Sequence, residues 1–284
     1  MTNKTRKNRI EPFIKWAGGK SQLLEQFREL FPPDDSYDNY FEPFIGGGAV
    51  YFFLQPKNAT ISDLNKNLVN TYKNIKTKAD DLILILEGFQ KKHSKEFYLK
   101  LREEFNSTKI GSLRKVAILI YLNKTCFNGL YRVNKKGEFN VPFGQHKKFS
   151  FKKEQLLKAS QLLKNAKIKN ESFEKVLDNA KKGDFIYFDP PYYPINGTSK
   201  FTAYTKEAFL EEEQKKLAEV FKKLDKRGCK VMLSNSDTKF IKDLYKNYKK
   251  YTVTVGARRS INCNADKRGE ITELVVRNYK RRQY

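Results

Sequence analysis

The feature that most constrains this chain is an apolar stretch at residues 40–44 running into Gly46-Gly47-Gly48 and then into a second apolar stretch at 49–54. That order predicts a strand, a glycine loop and a helix, with side-chain-free backbone where the strand ends. A second short strand is expected at 59–62, ending at Asp63, followed by a helical pattern that places Leu82, Ile83, Leu86 and Phe89 on one face. Further strands are predicted at 185–188, 230–234, 251–255 and 271–278, with a helix whose Leu210, Leu217, Phe221 and Leu224 share a face. Alternation of this kind implies an α/β fold built on a parallel sheet.

Between about residues 70 and 149 the character changes. Helical segments give way to a glycine-punctuated, aromatic and basic stretch, in which 131–133 and 139–141 flank a Lys135-Lys136-Gly137 turn and predict a hairpin. No internal repeat or low-complexity linker sets this region apart, so it reads as an insertion into one α/β domain.

Charge narrows the partners. With 57 Lys and Arg against 32 Asp and Glu, the net charge of +25 creates a field that attracts polyanions, although a lysine-rich solvated surface would give the same total. Local distribution favours a contact surface: residues 123–153 carry eight basic residues and one acid, Glu138, with aromatics between them. Cys126, Cys229 and Cys263 are too few and too scattered for a disulfide framework or a zinc site, and no metal is expected. The polar, basic N-terminus and an apolar run no longer than 116–122 predict a cytoplasmic protein without a membrane role.

Reactive chemistry is expected at Asp189-Pro190-Pro191-Tyr192, at the carboxyl end of the 185–188 strand, where doubly wound folds place their ligands. An exocyclic amine on a nucleobase is a poor nucleophile, because its lone pair is delocalised into the ring. Two acceptors holding both amino hydrogens would favour a pyramidal, more reactive nitrogen. Asp189 supplies one acceptor, a rigid Pro190-Pro191 turn can aim the Pro190 carbonyl as the second, and Tyr192 can stack on a base extruded from a duplex. A proline-stiffened turn would leave the bracketing acid and aromatic unexplained.

Gly46 and Gly48 do not complete a dinucleotide fingerprint, since Tyr51 stands where a third glycine belongs. Asp63 is placed to accept hydrogen bonds from ribose hydroxyls, or alternatively to cap a helix. Lys15-Trp16-Ala17-Gly18-Gly19-Lys20-Ser21 is like the end of a phosphate-binding loop, but Ile14 replaces its first glycine, which argues against an ATPase. A basic pair around Trp16 suits an anionic group beside a stacking surface; a buried Trp anchoring a turn is the alternative. No cysteine follows a proline to serve cytosine C5 methylation, and His93 and His146 lack a nucleophile at triad spacing.

These motifs in this order, Lys15 to Lys20, Phe41 to Gly48, Asp63, Phe127 to Gly144, Asp189 to Tyr192, Phe201-Thr202-Ala203-Tyr204 and Ser234-Asn235, resemble the Dam-type (class alpha) DNA adenine-N6 methyltransferases over nearly the whole chain. The resemblance implies a Rossmann-like S-adenosylmethionine-dependent sheet at 1–69 and 150–284, with a helical and β-hairpin DNA-recognition domain inserted at 70–149. It implies cofactor binding by Trp16, Lys20, Phe44, Gly46, Gly48, Asp63 and Asp189, and catalysis by Asp189, Pro190, Pro191 and Tyr192. Contact with double-stranded DNA at GATC is implied for Lys15, Phe127, Asn128, Leu130, Arg132, Asn134, Pro142 and His146. Arg132 would read a guanine in the major groove, or else neutralise a phosphate, and Lys15 the other guanine or a phosphate. Phe127 would wedge into the base stack unless it belongs to the core. The sequence departs from the family at Gln145-His146, where a basic residue and a Tyr are usual, and at Phe127, a Tyr in some members. A monomer with a partner restriction endonuclease is expected. An N4-cytosine methyltransferase and a non-catalytic DNA-binding protein of the same fold remain the alternatives.

Overall fold

The computed structural model describes residues 9–107, 111–195, 209–258 and 270–281; Phe201, Thr202, Ala203, Tyr204 and Cys263 lie outside the described residues. The chain divides into two compact units, Met1–Gly19 with Gly46–Gln55 and Leu64–Asn170, and Lys20–Ile45 with Pro56–Asp63 and Glu171–Tyr284. The strands are β1 (Tyr40–Glu42), β2 (Ala59–Ser62), β3 (Ala166–Lys169), β4 (Phe185–Phe188), β5 (Lys230–Ser236), β6 (Val253–Arg258) and β7 (Glu270–Arg277). The longer helices are α1 (Lys66–Lys91), α2 (Lys95–Ser107), α3 (Leu113–Thr125), α4 (Lys153–Leu163) and α5 (Glu211–Lys226).

In the second unit six strands hydrogen-bond in the order β2-β1-β4-β5-β7-β6. Pairing is parallel from β2 to β5, as the sequence predicts, whereas β7 runs antiparallel to both β5 and β6. The connection from β6 to β7 is too short for the crossover that parallel neighbours need. Every residue of β4 is fully buried, as a strand covered on both faces of a Rossmann-like sheet must be. Its neighbours complete a core in which Leu217, Phe221 and Leu224 of α5 meet Val231 and Leu233 of β5 and Leu274 and Val276 of β7.

Three expected boundaries shift for local reasons. β1 stops at Glu42 because Pro43 has no N–H to give to a ladder. β6 starts at Val253 because Lys246–Tyr251 forms a 3-10 helix. Leu210 does not join the apolar face of α5: it is extended, 48% exposed and precedes the helix, whose first turn carries Glu211, Glu212 and Glu213 to complement the dipole.

The first unit is helical at its centre. The 113–125 segment is apolar nearly all round, and as α3 it is buried from Lys115 to Asn123, against α1 and α2. Asn65 caps α1 by accepting from Leu68 N (3.1 Å), and Ser112 caps α3 through Lys115 N (3.1 Å). The expected hairpin is present as a single antiparallel bridge, Val133 to Phe139, closed by Asn134 N to Glu138 O (2.9 Å). Its far arm is fastened to α2: Asn106 exchanges side-chain bonds with both backbone groups of Phe139, and Tyr98 donates to Val141 O (2.8 Å).

Candidate active site

The Asp189–Tyr192 segment leaves the sheet at the carboxyl end of β4. Asp189 retains 19% side-chain exposure, while its ion-pair partner Lys20, 2.8 Å from Oδ1, is only 3% exposed. Ser234, on the neighbouring β5, also donates to Oδ1 (2.9 Å). Since that hydroxyl has a single proton, the Tyr187 hydroxyl 2.9 Å away must donate to Ser234 in turn. Among the described residues both contacts on Asp189 fall on Oδ1, which leaves Oδ2 as the oxygen to accept a substrate hydrogen. Burial, and secondly the Asp189 charge, hold the Tyr187 phenol well above its ordinary pKa, which keeps it a donor.

The prolines are held from below. Gln214 of α5 donates to Pro191 O (3.0 Å) and accepts from Asn235 Nδ2 (2.9 Å), and Asn235 Oδ1 accepts from Tyr193 N (3.2 Å). These bonds fix the turn that carries the Pro190 carbonyl. Tyr192 lies with the Lys20 ammonium 4.6 Å from its ring centroid and donates from its hydroxyl to Glu273 Oε2 (2.6 Å). Burial first, then the Asp189 and Glu273 charges, raise the Tyr192 phenol well above its usual pKa. Burial also lifts the Glu273 carboxyl, against the pull of Lys20 and of the Tyr192 bond.

Two further candidates sit at strand ends of the same unit. Phe44, just beyond β1, stacks on Phe173 at 5.4 Å and meets Phe209 edge-on at 5.5 Å. Asp63 follows β2 directly, and because Asn65 caps α1, the capping alternative for Asp63 falls away.

In the first unit Trp16 is half-buried and stacks on Tyr131 at 5.0 Å, so it is not a buried anchor. Gly46 and Gly48 are required by contact as well as by positive φ. A Cβ on Gly46 would come within 2.9 Å of the Trp16 ring, and one on Gly48 within 2.5 Å of the Tyr72 hydroxyl. That hydroxyl donates to Gly46 O (3.0 Å).

The proposed DNA-facing residues also gather in the first unit. Buried Asn123 accepts from Lys15 N (2.8 Å) and donates to Lys15 O (2.9 Å) and Gly129 O (3.0 Å), fastening the exposed Lys15 to the Phe127–Gly129 turn. Phe127 is 50% exposed, which removes the core alternative. Asn128 beside it is exposed and left-handed at φ 56°. Leu130 is half-buried, with its carbonyl accepting from Cys126 Sγ (3.3 Å). Arg132 is exposed along the hairpin, bonded through Nε to Asn140 Oδ1 (2.8 Å) and through Nη2 to Asn140 O (3.2 Å). Asn134 Oδ1 accepts from Lys136 N and Glu138 N, shaping the turn. Pro142 and His146 are exposed. The Pro142 carbonyl accepts from Phe127 N (2.9 Å), and the His146 carbonyl from His93 Nε2 (2.9 Å).

Gln214, Glu273 and Asn123 have no role assigned from the sequence, while Ser234 and Tyr131 enter there only as members of motifs, without a partner. Gln214 and Asn123 could have been found as lone polar residues within apolar patterns; the partnerships of Glu273 and Tyr131 leave no local signal. Among the described residues, no group of three or more His, Cys, Asp or Glu side chains could hold a metal ion, and no helix is long and apolar enough to cross a membrane.

Residues 16–261 match the family of D12 class N6 adenine-specific DNA methyltransferases. The chain is 47% identical to the type II methyltransferase M.MjaIII of Methanocaldococcus jannaschii, over 95% of this chain and 99% of that one. It is 43% identical to the type II methyltransferase M1.LlaDCHI of Lactococcus lactis subsp. cremoris (98% and 99% covered), and 35% identical to the DNA adenine methylase of Escherichia coli K12 (95% of each). The candidate site at the carboxyl end of β4 lies within the span of the family match, and the protein belongs to the D12 class of N6 adenine-specific DNA methyltransferases.

Proposed function

We propose that this enzyme methylates N6 of an adenine flipped out of double-stranded DNA at GATC, with S-adenosylmethionine as the donor. The observation that carries the reading is the asymmetric ligation of Asp189: Lys20 and Ser234 both occupy Oδ1, so Oδ2 accepts one N6 hydrogen while the Pro190 carbonyl accepts the other. Tyr192 stacks on the extruded base. As the nitrogen takes the methyl group, Asp189 holds the proton it sheds.

The donor chemistry of the chain fits S-adenosylmethionine. Asp63 offers a carboxylate to ribose hydroxyls and Phe44 an aromatic face to the purine. Bound there, S-adenosylmethionine supplies an electrophilic methyl group. Lys20 contributes through its pairing with Asp189.

Residues 70–149 act as the recognition domain and 1–69 with 150–284 as the catalytic domain of a monomer. Arg132 and Lys15 read the two guanines, Phe127 fills the gap left by the flipped base, and Asn128, Leu130, Asn134, Pro142 and His146 complete the contact surface. The names of two relatives as type II methyltransferases support a restriction-modification role beside an endonuclease acting on the same site. The test is incubation with tritiated S-adenosylmethionine and duplexes carrying GATC, or with its adenine or either guanine replaced, followed by nucleoside analysis. Label in N6-methyladenine with intact GATC alone is expected; label in N4-methylcytosine, or none, would refute the reading.

A further inference from the structure

Glu273 lies on β7, eighty-one residues beyond Tyr192, opposite Ser236 of β5 and Val255 of β6. The residues that follow it, Leu274, Val275 and Val276, are buried apolar side chains, and nothing in the parallel part of the sheet requires an acid beside them. Yet its Oε2 accepts the Tyr192 hydroxyl at 2.6 Å, at the short end for an O–H···O bond. The Tyr192 ring is therefore held at two places, by Glu273 at its hydroxyl and by the Lys20 ammonium 4.6 Å from its centroid. A tyrosine has only two side-chain torsions, and contacts at the ring face and at the hydroxyl restrict both.

We propose that Glu273 is a positioning residue for methyl transfer, fixing Tyr192 through its hydroxyl so that the ring face away from Lys20 meets the target base. The proposal rests on the reading of Tyr192 as the stacking residue. Lys20 serves both arms: it pairs with Asp189 at 2.8 Å, and it is the cation that pulls the Glu273 carboxyl back toward ionisation against burial. One ammonium thus ties the acceptor for N6 to the ring on which the adenine stacks. The antiparallel strand that departs from the parallel pattern brings the acid to this point.

The test is a double-mutant cycle on the full chain with Glu273→Ala, Glu273→Gln, Tyr192→Phe and Glu273→Ala/Tyr192→Phe, measuring kcat, KM for DNA and Tm. Fluorescence of 2-aminopurine at the target position is read in parallel. Glu273→Ala is expected to lower kcat by about 10- to 100-fold, the scale of a misplaced binding group, with KM for DNA held within about twofold. Glu273→Gln, whose amide oxygen still accepts the phenol proton, should recover most of that loss. Tyr192→Phe should lose about as much as Glu273→Ala, and the double variant no more than either. Should Glu273→Ala unfold at assay temperature, Glu273→Leu, closer in volume, takes its place in the cycle. Wild-type turnover in Glu273→Ala, or losses that multiply in the double variant, would overturn the positioning role. A wild-type enzyme that leaves 2-aminopurine fluorescence unchanged would instead remove the base-stacking reading, and the proposal with it.

Discussion

The turn after β4 and the turn after α3 are both built from sequence motifs, but they are held in opposite ways. At Asp189–Tyr192 the side chains themselves are bound: Asp189 by Lys20 and Ser234, Tyr192 by Glu273. At Phe127–Gly129 the backbone is bound, by Asn123 and by Pro142 O, while Phe127 and Asn128 project outward. Chemistry on a reacting atom needs side chains fixed before substrate arrives, since reorganising them during the reaction would raise the barrier. Reading a duplex needs a rigid frame whose side chains are still available to meet a partner. The contrast is the one expected if, as proposed, the first turn serves catalysis and the second recognition.

The largest effect is expected at Lys20. Lys20→Met keeps the side chain's bulk but leaves the Asp189 carboxylate without its ion pair, and should lower stability by about 3 kcal/mol, at the low end for a buried pair because Asp189 is partly exposed. Denaturant unfolding measures this, and methyl transfer should fall with it. A loss below about 1 kcal/mol would mean the pair behaves as a surface contact.

At the second turn, Asn123→Ala removes the clamp between Lys15 and the 127–129 turn and leaves buried backbone groups unsatisfied, at a cost of about 1–3 kcal/mol. DNA affinity should drop more than kcat if the turn serves recognition, which filter binding and steady-state kinetics separate. Arg132→Ala should sharpen the contrast without destabilising the fold. It is expected to relax discrimination at one guanine by about 1–3 kcal/mol, whereas equal weakening on every sequence would mark an interaction with phosphate. The smallest effect is expected from Lys135→Ala with Lys136→Ala, on the exposed tip of the hairpin. The slope of log affinity against log salt should shrink by about 0.9 for each phosphate that is no longer neutralised, with sequence preference unchanged.

Legibility in the sequence followed the same division. The bounds of β2 and β4 were readable because both are short runs rich in β-branched or aromatic residues that end at an aspartate, Asp63 and Asp189. β3 was not, since its Ala-Lys-Ile-Lys pattern carries two exposed-type residues in four. Leu210 was misplaced because periodicity alone does not see a helix beginning at three consecutive acids. Asp189, Pro190 and Tyr192 announced themselves as a contiguous motif. Glu273 acts through a partner eighty-one residues away, and such a contact has no local composition to betray it. The same applies to Tyr131, which stacks on Trp16 across more than a hundred residues of chain.

The most direct test of the central claim, that Asp189 acts on the reacting amine through a carboxylate oxygen left open by its protein partners, is the single-turnover rate of Asp189→Asn on a GATC duplex, with DNA affinity measured on the same preparation. Methyl transfer is expected to fall by at least about 100-fold while affinity changes by no more than about threefold. Wild-type turnover would contradict it, and so would a loss of DNA binding large enough to account for the lost rate.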